Sequence, residues 1–75
     1  MKPQVVSERI TRGVEGATVQ LSGEDCSFVV TVVSSSFAGK RPLERQRAVL
    51  GLFDDELRTG ALHALTVIAK TPDEA

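Results

Sequence analysis

The chain has 75 residues, 41% of them hydrophobic and 25% charged, with no Trp or Tyr, so one core built from aliphatic side chains around Phe28, Phe37 and Phe53 is all it can hold. A formal net charge of -1 gives no global pull toward nucleic acid or an anionic membrane, and no apolar run is long enough to span a bilayer. One Cys excludes an internal disulfide, and Cys26 with the lone His63 falls short of the four ligands of a structural zinc site.

Met1 to Thr11 lacks the uninterrupted apolar segment of a secretory signal, so a cytoplasmic setting is expected, or an organellar one where a targeting extension has been removed. Pro3 suits a first helical turn, and Val5, Val6, Ile10 and Val14 follow near the helical period, which predicts an amphipathic helix of about three turns ending near Gly16. Ala17 to Leu21 then alternates with period two and meets the turn-forming Ser22-Gly23-Glu24-Asp25. Ser27 to Ser34 is a β-branched run, so the two segments form a hairpin. This second strand is the most apolar in the chain and is expected at the centre of the sheet, buried on both faces.

Ser34 to Pro42 ends it, and a helix begins at Pro42 with an apolar stripe of Leu43, Val49, Leu50, Phe53 and Leu57. Asp54, Asp55 and Glu56 then fall near its C-terminal end, against the macrodipole, before Arg58 and Gly60 close it. A last strand is expected over about Ala61 to Lys70. Alternation sends Leu62, Ala64, Thr66 and Ile68 to one face and His63, Leu65, Val67 and Ala69 to the other, so both faces read as apolar and covered. The long helical crossover permits parallel pairing with the central strand. Thr71-Pro72-Asp73-Glu74 is a capping box that announces a further helix. The fold class is therefore α+β: a small three-stranded mixed sheet with helices on one face, in the order α-β-β-α-β, as one domain over residues 1–75.

Taken alone, His63 at a strand end is more often a packed or capping residue than a ligand, and Cys26 reads as a small hydrophobe at a strand start. The residues Val33-Ser34, Phe37, Gly39-Lys40, Leu43, Arg45, Arg47, Val49, Glu56-Leu57, His63-Ala64-Leu65 and Thr71-Pro72-Asp73-Glu74, however, stand in an order and spacing that resembles BolA-like proteins. The match runs from about Ser22 to Glu74. The resemblance implies a fold of type II KH topology and a partner, a monothiol glutaredoxin, with which members hold a bridging [2Fe-2S] cluster. It carries the metal-ligand role onto His63. The second ligand of the family is a His or Cys in the loop before the central strand, which makes Cys26 the candidate here; that loop has no histidine, and Gln46 stands where many members have one. Glutaredoxin and glutathione thiolates leave two positions for this side of the cluster. The chain is expected to be a monomer alone and a heterodimer with its partner, with no cofactor of its own.

Lys40, Arg41, Arg45 and Arg47 form a basic patch around the start of the second helix, able to meet glutathione carboxylates, an acidic partner surface or phosphate. Some bacterial members are described as transcriptional regulators, so the competing expectation is DNA binding through Arg41, Arg45 and Arg47. Against it, Phe37-Ala38-Gly39-Lys40 lacks the GxxG loop that clamps a nucleic-acid backbone. An enzyme is not expected, since so small a domain has little room for a substrate cleft.

Overall fold

The structure, a computed structural model, describes residues 1–75. Helix α1 (Pro3–Gly13) buries Val6 and Ile10 one turn apart, and the chain then turns at Gly16 into the hairpin β1 (Thr18–Glu24) and β2 (Ser27–Val33). A 3₁₀ turn (Ser35–Phe37) leads to α2 (Pro42–Leu50), a second 3₁₀ turn (Gly51–Phe53), α3 (Asp54–Thr59) and β3 (Ala64–Lys70). The sheet order is β1-β2-β3, with β1 antiparallel and β3 parallel to β2. The expected element order and the mixed three-stranded sheet are what the chain forms.

The core is a single cluster of eleven buried hydrophobic residues, to which α1 contributes Val6 and Ile10, β2 contributes Phe28, Val30 and Val32, and β3 contributes Val67. Val14, Phe37, Val49, Phe53 and Leu62 complete it from the connections and α2. Fully burying such side chains is worth about 1.5–3 kcal/mol each, so this cluster dominates the stability.

β2 is central as expected, but only one of its faces is covered. Phe28, Val30 and Val32 point into the helices, while Val29 is 39% exposed. The register places Val29 beside Ser22 and Thr66, and Thr31 beside Gln20 and Ile68, on the open face. A β-branched run therefore signalled sheet propensity here rather than burial on two sides. In β3 likewise Ala64, Thr66 and Ile68 are exposed. Leu62 does not join them. It is fully buried and lies before the strand, which starts at Ala64 and not at Ala61.

β1 continues through the expected turn residues to Glu24, leaving Asp25-Cys26 as a two-residue turn with φ of 55° and 68°. Two positive φ values in sequence are the signature of a type I′ hairpin. Gly23, with φ 108°, allows the strand to reach this turn: a Cβ there would lie 2.3 Å from the Ser27 carbonyl oxygen.

The predicted single helix from Pro42 is broken in two. Phe53 leaves helical geometry (φ -124°, ψ 21°), and a new helix begins at Asp54. Asp54, Asp55 and Glu56 thus occupy a first turn, where the macrodipole favours negative charge, and the expected electrostatic conflict does not arise. The 3₁₀ residues between keep the helical direction, which is why the apolar stripe read as continuous. Leu43 is the exception to that stripe, being 56% exposed. The Thr71-Pro72-Asp73-Glu74 box closes as a turn rather than opening a helix.

Candidate metal centre

Parallel pairing puts the starts of β2 and β3 at one end of the sheet. The His63 N–H donates to the Cys26 carbonyl oxygen at 2.8 Å, and the Ala64 N–H approaches the same oxygen at 3.3 Å. The two soft metal donors of the chain are therefore mounted on backbone segments bonded to each other. Cys26 is half-buried at the tip of the β1–β2 turn, and its Sγ accepts from the Met1 amino group at 3.2 Å. His63 is exposed.

What fixes His63 lies immediately before it. α3 ends at Gly60, whose left-handed φ of 86° turns the chain. The Gly60 and Leu62 N–H groups both donate to the Glu56 carbonyl oxygen, at 3.1 and 3.0 Å, while the Leu62 side chain fills the core. A plug on one side and a strand-end hydrogen bond on the other hold the His63 backbone and leave its imidazole in solvent. Gly60 was legible as a helix terminator, but the plugging role of Leu62 was hidden because strand alternation assigned it to the other face.

One imidazole and one thiolate on adjacent strand starts suit iron, for which both are established donors. No group of three or more His, Cys, Asp or Glu side chains converges anywhere in the structure, so a metal held here needs ligands from outside the chain.

The basic patch is at the other end of the sheet. β2 runs seven residues, about 20 Å, away from Cys26 before the chain reaches the 3₁₀ turn and Lys40. Lys40, Arg41 and Arg47 are exposed there. Arg45 is not: it is 9% exposed, its Nε donates to the Lys40 carbonyl oxygen at 2.9 Å, and its Nη1 donates to the Ala69 carbonyl oxygen at 3.4 Å and to Glu74 Oε1 at 2.6 Å. Glu74 Oε1 also accepts from the Thr71 N–H at 2.7 Å. That backbone bond, with the guanidinium, draws the Glu74 carboxyl down to a pKa of about 2. Arg45 thus ties α2, β3 and the C-terminal turn together, and it is withdrawn from both the partner-binding and the nucleic-acid face expected of it. Periodicity could not reveal this, because the partner, Glu74, is 29 residues away.

A sequence profile of BolA-like proteins matches residues 4–74. An uncharacterised protein of the rpoN-murA intergenic region of Acinetobacter guillouiae is 32% identical over 74 residues, covering 99% of this chain and 89% of its own. BolA-like protein 1 of Mus musculus is 39% identical over 72 residues, covering 96% and 50%. The DNA-binding transcriptional regulator BolA of Vibrio cholerae is 44% identical over 52 residues, covering 69% and 48%, so the chain spans about half the length of these last two relatives. Among solved structures, BolA1 from Arabidopsis thaliana superposes with a TM-score of 0.83 at 30% identity, covering 96% of this chain and 93% of its own. No helix is long and apolar enough to cross a membrane. With the profile spanning nearly every residue and the fold shared, the chain belongs to the BolA-like protein family.

Proposed function

We propose that this protein is a BolA-like adaptor that binds a monothiol glutaredoxin and donates His63 and Cys26 to a [2Fe-2S] cluster shared with it, as cargo in iron–sulfur assembly or as an iron-dependent signal. The observation that carries the reading is the 2.8 Å backbone bond between His63 and Cys26, which brings the only imidazole and the only thiol to one edge of the molecule. A second observation supports it. Cys26 occupies a left-handed turn position, where a side chain costs about 1–2 kcal/mol relative to the right-handed region and where Gly or Asn is the cheaper choice.

The chain's own work is to hold two donors at fixed backbone positions, one exposed and one half-buried, for a partner that brings two thiolates. Histidine in place of thiolate raises the potential of such a cluster. The test is to mix the protein with cluster-loaded monothiol glutaredoxin and record visible absorption and circular dichroism. Wild type changes both spectra, His63→Ala abolishes the change, and Cys26→Ser alters it. An unchanged spectrum with wild type, or the wild-type change with His63→Ala, overturns the reading.

The name of the Vibrio cholerae relative favours a second reading, transcriptional regulation through DNA, for which Lys40, Arg41 and Arg47 are the free cations. It predicts binding that weakens steeply with salt and with Arg41→Glu combined with Arg47→Glu. No retention of duplex DNA at low salt removes it.

A further inference from the structure

We infer that Arg9 is a positioning residue for His63, acting through Glu56; the inference rests on the metal-ligand reading of His63 for its purpose, and on the geometry alone for its mechanism. Arg9 lies on α1, remote from His63 in sequence, and is half-buried. Its Nη1 donates to the Leu52 carbonyl oxygen at 3.2 Å and pairs with Glu56 Oε1 at 2.7 Å. Its guanidinium carbon stands 5.0 Å from the centroid of the Phe53 ring. One side chain therefore grips the three residues that surround the break between α2 and α3.

The consequence passes down α3 in a single turn. The Glu56 side chain is held by Arg9, and the carbonyl of the same residue accepts the N–H groups of Gly60 and Leu62. Leu62 is fully buried, and the next residue is His63, bonded to Cys26. Every link between Arg9 and the imidazole mount is thus a hydrogen bond, an ion pair or a core side chain. The pair is coupled enough that the Arg9 bond, with a smaller backbone contribution, holds the Glu56 carboxyl below the ordinary carboxylate range.

A six-residue helix has little stability of its own, so its placement must come from such tertiary contacts. The second ion pair of α3, Arg58 to Asp55 at 2.8 Å, lies within the helix, with both side chains more than three-quarters exposed. It cannot anchor α3 to anything. Arg9 is the polar anchor that comes from another element.

The experiment compares Arg9→Met, which keeps an apolar stem over Phe53, with Arg9→Lys and with Arg58→Ala, first in the free protein. Amide hydrogen exchange of Leu62 and His63 is expected to accelerate about tenfold in Arg9→Met, the scale of a local opening made easier by loss of a partly buried ion pair and its carbonyl bond. Val30 and Val32 amides in the central strand are expected to slow or speed far less, Arg9→Lys to recover part of the protection, and Arg58→Ala to match wild type. If Leu62 and His63 change only in step with Val30 and Val32, Arg9 is merely stabilising and the inference is overturned. In the glutaredoxin complex, Arg9→Met is then expected to shorten the lifetime of the His63-dependent spectrum without changing partner affinity. A faster-exchanging His63 in the free protein, joined to a complex whose spectrum ignores His63→Ala, retains the positioning role and removes the metal-ligand reading instead.

Discussion

The two ends of the sheet treat their polar residues in opposite ways. At the end where β2 and β3 begin, His63 is held by its backbone while its imidazole stays in solvent, and Cys26 is set in a left-handed turn that favours other residues. At the end where they finish, Arg45, Glu74, Thr71 and Ser34 spend their hydrogen bonds on the protein itself. Ser34 is fully buried there, with its Oγ donating to the Glu15 carbonyl oxygen at 2.6 Å. All of these residues except Cys26 belong to the same motif set in sequence. The difference teaches that a family motif mixes residues that build the fold with residues whose side chains stay exposed, and that satisfaction of donors and acceptors separates the two.

Arg45→Ala should break this contrast most strongly. It strands the Lys40 and Ala69 carbonyls and frees the C-terminal turn, for an expected loss of about 3 kcal/mol in urea unfolding. Loss of DNA binding in such a variant would report unfolding and not a contact. Gly23→Ala attacks the opposite end through the backbone: with φ at 108° and a Cβ 2.3 Å from the Ser27 carbonyl oxygen, it should cost about 2 kcal/mol. The Cys26 turn should loosen with it, seen as faster modification of the thiol by a maleimide.

Glu74→Gln sharpens the comparison by pH. A carboxyl with a folded pKa of about 2, against an ordinary 4.5, stabilises the fold fully above about pH 4.5 and loses that contribution as pH falls toward 2. The variant should therefore be less stable than wild type at pH 7, with the gap closing on acidification through that window. A gap independent of pH between 7 and 2 would sink the ion-pair account. The smallest effects belong to the hairpin end. Cys26→Gly should keep or raise stability by about 0.5 kcal/mol, since glycine relieves the positive φ, and His63→Ala should leave the unfolding midpoint within about 0.5 kcal/mol of wild type. On the proposed function His63→Ala should nonetheless abolish the glutaredoxin-dependent spectral change, and Cys26→Gly should alter it.

Much of this molecule was legible before its structure. Pro3, the Val6 and Ile10 spacing, the β-branched Ser27 to Val33 run and the crossover from Pro42 are local signals, and each gave the right element. The motif spacing also singled out His63, Cys26 following only as the one Cys in the loop before the central strand, and parallel pairing of the last strand was enough to bring their strand starts to the same end. The break at Phe53 was not legible, because a 3₁₀ turn preserves the apolar stripe that betrays a helix. Nor was the open face of the sheet, since Val29, Thr31, Thr66 and Ile68 have the composition of covered positions.

What the sequence determined by itself was the order of elements and the central place of β2, both set by periodicity and residue type. The tertiary structure decided which charged residues are free. Arg41, Arg45 and Arg47 are alike in type and stand within seven residues of one another, yet only Arg45 meets a carboxylate and a carbonyl brought from distant segments. A charge's role depends on the partners that folding delivers to it, and those partners lie far outside any window over which a sequence can be read.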